Sequence, residues 1–128
     1  VLLVDDHALV RQGLRSLLEG YADVQVVGEA ANGDEAIAAV ARYKPSVVVM
    51  DINMPGLNGI EATSRIRTAW PATEIIGLSV NAGDENQEAM LRAGARRLLA
   101  KDSAVEELYN AIRHISRSST SHTHRHPT

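Results

Sequence analysis

At 128 residues, with 45% hydrophobic side chains and a formal charge of −3, the chain suffices for one domain around a single core. Acidic residues outnumber basic ones by 16 to 13, and there are no Phe, one Trp and three Tyr, which argues against a nucleic-acid surface of phosphate contacts and base stacking. The lack of cysteine excludes disulfides, thiolate metal sites and a thiol nucleophile, and no apolar run approaches the roughly 20 residues of a membrane helix.

No basic stretch followed by a cleavage site is present, so a secretory signal is not expected and a cytoplasmic setting is. The chain opens on Val1, already inside an apolar run, as expected of a fragment of a longer protein.

Strand-like and helix-like segments alternate. VLLV (1–4) is a short apolar run ended by Asp5 and Asp6. Residues 8–19 carry Val10, Leu14, Leu17 and Leu18 at helical spacing. VQVVGEA (24–30) reads as the second strand. Asp34 is a candidate cap for a helix with Ala36, Ile37, Val40 and Ala41 inward, broken at Lys44-Pro45. SVVVM (46–50) is the third strand, followed by a Pro/Gly loop and a weaker helix over 59–69 that Trp70-Pro71 stops. TEIIGLS (73–79), a helix over 85–93 closed by Gly94, and ARRLLA (95–100) come next. Ser103 and Glu106 form a capping box opening a fifth helix over roughly 104–116. Five strands alternating with helices predict an α/β fold, a five-stranded parallel sheet covered on both faces. The tail, 119–128, is Ser/Thr/His-rich and reads as a linker or vector-derived segment beyond a domain of residues 1–118. Its alternating His122, His124 and His126 fit such a tail better than a metal site.

Polar residues stand at the carboxyl ends of these strands: Asp5 and Asp6 after the first, Asp51 after the third, Ser79 after the fourth, Lys101 after the fifth. In open α/β sheets chemistry gathers at those ends, near the point where strand order reverses. An order 2-1-3-4-5 puts all five residues on one rim. Two carboxylates about 4 Å apart at an effective dielectric near ~20 repel by about 4 kcal/mol, so the cluster calls for a proton or a cation. Hard oxygen donors without cysteine favour Mg²⁺. A hydroxyl and an ammonium beside them suit a phosphoryl group, and one carboxylate acting as nucleophile gives an acyl phosphate.

The segments LLVDDH, VVVMDINMPGLNG, IIGLSV and LLAKD together resemble the receiver domain of bacterial two-component response regulators, of the flavodoxin-like (CheY-like) fold, over residues 1 to about 116. The Asp-Asp-His start and Lys-Asp end resemble its NarL/FixJ (LuxR-type) branch. The resemblance implies that Asp51 is the phosphoacceptor for a sensor histidine kinase. It implies Mg²⁺ held by Asp5, Asp6, Asp51 and the backbone carbonyl of Asn53, with Ser79 as switch hydroxyl and Lys101 as its cationic partner. Asn53 and Asn81 match positions that tune dephosphorylation, and Pro55 and Gly59 match the loop after the acceptor, where the glycine permits an open turn. The resemblance also implies self-phosphorylation and slow autodephosphorylation rather than a classical enzyme activity. DNA would be reached only through a C-terminal domain absent from this chain, and receivers of this type often dimerise on phosphorylation.

Leu98 stands where the family usually has Tyr or Phe, and Arg97 where the branch often has Gly. Phosphorylation is therefore expected to survive while its coupling to the output surface changes. Arg92, Arg96 and Arg97 fall on or near that surface. His7 reads as part of the helix start, since Mg²⁺ prefers oxygen. Two other readings compete: a stand-alone receiver acting by protein contact, and an aspartate-nucleophile phosphatase of the haloacid-dehalogenase type. The latter needs its nucleophile on the first strand and a second Asp two residues on, whereas Asp5 and Asp6 are adjacent.

Overall fold

The computed structural model describes residues 1–54, 56–80, 83–101 and 105–125. The order is β1 (Leu2–Val4), α1 (Ala8–Glu19), β2 (Gly28–Ala30), α2 (Gly33–Tyr43), β3 (Val47–Asp51), α3 (Gly59–Ala69), β4 (Glu74–Ser79), α4 (Asp84–Ala93), β5 (Arg97–Ala100) and α5 (Val105–Arg125). The strands form one parallel sheet ordered β2-β1-β3-β4-β5, as the pattern predicts.

β3 is buried along its whole length because helices cover both faces, which is why Val47–Met50 is an unbroken apolar run. Side chains alternate between two cores. Leu2, Val4, Val48, Met50, Ile75 and Leu98 pack with α2, α3 and α4 through Ala36, Val40, Ala62, Ile66 and Met90. Leu3, Val47, Val49, Ile76, Leu78 and Leu99 pack with α1 and α5 through Leu18, Leu108, Ala111, Ile112 and Ile115. Each such side chain contributes about 1.5–3 kcal/mol by leaving water.

Several expectations are corrected. The second strand covers Gly28–Ala30, not 24–30: Val24 turns back to donate to the Tyr21 carbonyl, while Gln25 and Val27 bond to Val1, ahead of β1. α2 is capped by Asn32, whose side chain accepts from the Glu35 amide; Asp34 lies inside the first turn. Starting the helix at Gly33 lets that residue pack on Leu57, where a Cβ would lie 2.5 Å from the Leu57 carbonyl. Ala41 is exposed rather than inward. On α1 the inward residues are Leu14 and Leu18, while Val10 and Leu17 are 41% and 55% exposed, because α1 lies on the sheet by one narrow face. β5 begins at Arg97 rather than 95, Ala95 and Arg96 forming the turn from Gly94. α5 runs on to Arg125, past the expected end near 116 and into the stretch read as a tail. The Ser103 capping box, Asn81 and Pro55 lie outside the described residues.

Candidate functional site

Strand parity brings the charged residues together. Leu3, Val49 and Leu99 all face α1 and α5, and two residues further along each strand stand Asp5, Asp51 and Lys101. Because side chains alternate with period two, these three emerge at the rim on one side. A one-residue slip of β5 would send Lys101 to the other face.

Lys101 Nζ lies 3.0 Å from Asp5 Oδ2 and 3.0 Å from Asp51 Oδ2, bridging β1 and β3. Asp51 is fully buried and Asp5 is 2% exposed. Asp51 Oδ1 accepts the Asn53 amide at 3.0 Å, and Asp5 Oδ1 accepts the His7 amide at 2.8 Å. These tight turns aim both carboxylates inward. His7, the N-cap of α1, also places Nδ1 3.2 Å from Asp5 Oδ1 and 3.1 Å from Asp6 Oδ1, consistent with its expected place at the helix start. Beyond the ammonium, Asp5 Oδ2 and Asp51 Oδ2 accept no aligned hydrogen bond among the described residues, and neither does buried Asp6 Oδ1.

Three carboxylates against one ammonium leave a formal surplus of two negative charges. Ligand atoms of Asp5, Asp6, His7 and Asp51 lie within 4.8 Å of one another, a spacing one metal ion could bridge. Burial, foremost, pushes the Asp51 carboxyl above its ordinary range; the Asn53 amide and Lys101 oppose this, and the Asp5 charge adds to it. Burial acts to lower Lys101, but its pairing with Asp5 and Asp51 outweighs that and holds the ammonium above its ordinary value.

The remaining expected residues sit close by. Ser79, buried at the end of β4, donates from Oγ to Asn53 Oδ1 at 3.1 Å. Asn53 itself is exposed. Gly59 needs no unusual backbone, contrary to its expected role in an open turn; the glycine with positive φ in that loop is Gly56, at 74°. What Gly59 provides is close approach, since a Cβ there would lie 2.4 Å from the Asp51 carbonyl oxygen. Leu98 is 3% exposed and packed with Met90 under α4, away from the carboxylates. Arg97 is exposed and pairs loosely with Glu107 at 3.8 Å. Sequence reasoning missed Arg11 and Glu29: Arg11 Nη1 donates to the Asp5 carbonyl at 2.6 Å while Nε meets Glu29 Oε1 at 3.0 Å. Their separation along the chain leaves no local signal of the pairing.

Residues 1–113 match the family described as the response regulator receiver domain. Response regulator UvrY of Escherichia coli is 41% identical over 115 residues, covering 90% of this chain and 53% of the relative. A LuxR-family two-component response regulator from an Aurantimonas species superposes with a TM-score of 0.85 at 39% identity, covering 89% of this chain and 81% of that one. The receiver domain of response regulator NarL from Mycobacterium tuberculosis superposes with a TM-score of 0.86 at 29% identity, covering 91% and 94%. The chain spans about half the length of the curated relatives it matches.

Proposed function

The chain belongs to the response regulator receiver domains of two-component systems, in the NarL/FixJ (LuxR-type) branch, and from that premise we propose that it is a phosphorylation switch with Asp51 as acceptor. The observation that carries this reading is the fully buried Asp51 carboxylate, its Oδ2 3.0 Å from a Lys101 ammonium that equally pairs Asp5. The donor is the phosphohistidine of a sensor histidine kinase. An Asp51 carboxylate oxygen attacks phosphorus, the phosphorus–nitrogen bond breaks, and the imidazole leaves with that electron pair. The product is an acyl phosphate on Asp51.

The hard oxygens of Asp5, Asp6 and Asp51, gathered within 4.8 Å and carrying a surplus of two negative charges over Lys101, fit Mg²⁺, which those residues and the Asn53 carbonyl would hold. Held there, Mg²⁺ would supply positive charge to offset the negative charge developing on the phosphoryl oxygens. Lys101 turns from the carboxylate pair to the new phosphoryl group. Ser79 releases Asn53 and donates its hydroxyl to a phosphoryl oxygen, which carries the event into β4 and the face formed by α4, β5 and α5. Asn53 and Asn81 match positions that tune dephosphorylation in this family, and they set the lifetime of the acyl phosphate. The rest of the parent protein carries a DNA-binding output that this switch controls, with dimerisation following phosphorylation.

Incubation with acetyl phosphate and Mg²⁺, followed by intact mass, tests the reading. A gain of one phosphoryl group, abolished by chelation and by Asp51→Asn, is expected. Undiminished labelling of Asp51→Asn would overturn it.

A further inference from the structure

The Asp5–Asp6 turn is held from a direction that the acceptor chemistry does not use. Arg11, in the first turn of α1, is only 16% exposed and divides its guanidinium between two partners. Nε lies 3.0 Å from Glu29 Oε1 on β2, and Nη1 donates to the Asp5 backbone carbonyl at 2.6 Å. The second Glu29 oxygen is taken by Arg15 Nη1 at 2.8 Å, so Glu29 is anchored on both sides. Asp5 is thereby clamped at each end of its backbone, its amide donating to the Ala30 carbonyl at 3.1 Å and its carbonyl accepting from Arg11.

The peptide that Arg11 grips is the one joining Asp5 to Asp6. Its plane sets where the Asp6 side chain leaves the backbone, and hence where that carboxylate sits relative to those of Asp5 and Asp51. The side chain of a long cation beside an acidic cluster ordinarily goes to a carboxylate; here it goes to a carbonyl, with a carboxylate from another strand holding it there. A fork that must meet two acceptors at once also needs the geometry of arginine, which lysine lacks.

We propose that Arg11 is a positioning residue for the divalent-cation site, fixing the Asp5–Asp6 peptide so that both carboxylates face the cation together. The inference rests on the acceptor reading above. Groups that orient metal ligands from behind typically change metal affinity by roughly 10–100-fold when removed.

The test is Mg²⁺ affinity by titration calorimetry for the wild type, Arg11→Met, Arg11→Lys and Arg15→Met, with phosphoryl uptake from acetyl phosphate measured across Mg²⁺ concentrations. Arg11→Met and Arg11→Lys are expected to bind Mg²⁺ roughly 10-fold more weakly, and saturating Mg²⁺ is expected to restore their uptake. Arg15→Met, which loosens Glu29 but does not touch Asp5, is expected to bind as the wild type does. Wild-type affinity in Arg11→Lys, or an equal loss in Arg15→Met, would overturn the proposal while leaving the acceptor reading intact. A wild type that takes up no phosphoryl group would instead overturn that reading, and the proposal with it.

Discussion

Replacing Gly59 by alanine tests whether α3 is seated directly on the backbone of the acceptor residue. Gly59 is the first residue of α3 and Gly13 lies inside α1; neither has positive φ. By helix propensity alone both substitutions should stabilise, by about 0.5–1 kcal/mol at an interior position. Their surroundings differ. A Cβ on Gly13 meets nothing within 4 Å, whereas one on Gly59 lies 2.4 Å from the Asp51 carbonyl oxygen and 2.6 Å from Ile52 Cα. Ordinary contact begins at 3.4 Å, so α3 must retreat by about 1 Å. β3 cannot yield in its place, being paired to β1 on one side and β4 on the other. That retreat loosens Ala62 and Ile66, both fully buried, and a gap of about 0.5–1 Å already forfeits a quarter to a half of each contact. A net loss of about 3 kcal/mol is expected for Gly59→Ala, at the upper end of overpacking costs. Gly13→Ala is expected to gain up to about 1 kcal/mol. Urea unfolding followed by far-ultraviolet circular dichroism reads both. Gly59→Ala should also slow phosphoryl uptake, since the shift falls on Asp51. A Gly59→Ala protein as stable as the wild type would refute the packing argument.

Three further outcomes follow from the same geometry. Asp51→Asn should raise the melting temperature at neutral pH without Mg²⁺, because folding lifts the Asp51 carboxyl above its ordinary value and so penalises the charged form. The penalty grows as pH rises from the unfolded carboxyl's range through the raised folded one, so the advantage should shrink on acidification; an advantage that grows in acid would contradict it. Glu29→Gln should cost about 1 kcal/mol near neutrality. The Glu29 carboxyl is held below its ordinary value by Arg15 first and Arg11 also, against burial, so this stability is present above the unfolded carboxyl's range and is lost as pH falls through the folded one; urea melts at neutral and acid pH check it. Leu98→Tyr, which restores the family aromatic, should destabilise by about 1–3 kcal/mol, because Leu98 is packed between Met90 and the space over Gly77, where a Cβ would already lie 2.8 Å from Leu98 Cδ1. Unchanged urea stability in Leu98→Tyr would show room that the packing denies.

The parts of the site legible in the sequence were those written along single strands. An apolar run ending in Asp51 announces both a buried strand and the carboxylate it delivers, and Asp5 and Lys101 follow the same rule. Alternation then carries those residues to one side of the rim without any further signal. The parts that were not legible depend on partners distant in sequence. Val24–Val27 has strand composition, yet the Tyr21 turn takes Val24 away and the rest lies beside Val1, ahead of the short β1, through the bonds of Gln25 and Val27 to that residue. Leu17 has helical spacing from Val10 and Leu14 but faces outward, since periodicity does not say how wide a face the sheet covers. Asn32 outcompetes Asp34 as a cap because close packing of Gly33 on Leu57 decides where α2 begins. Arg11 carries no local signal of its role, because its partner Glu29 is brought beside it only by β2.

The central claim is that Asp51 carries the phosphoryl group. Borohydride reduces an acyl phosphate to the alcohol, so trapping the protein after acetyl phosphate and Mg²⁺ and mapping its peptides identifies the acceptor directly. The account predicts homoserine at position 51 and unmodified aspartate at positions 5 and 6. Homoserine at Asp5 or Asp6 with Asp51 intact would contradict it.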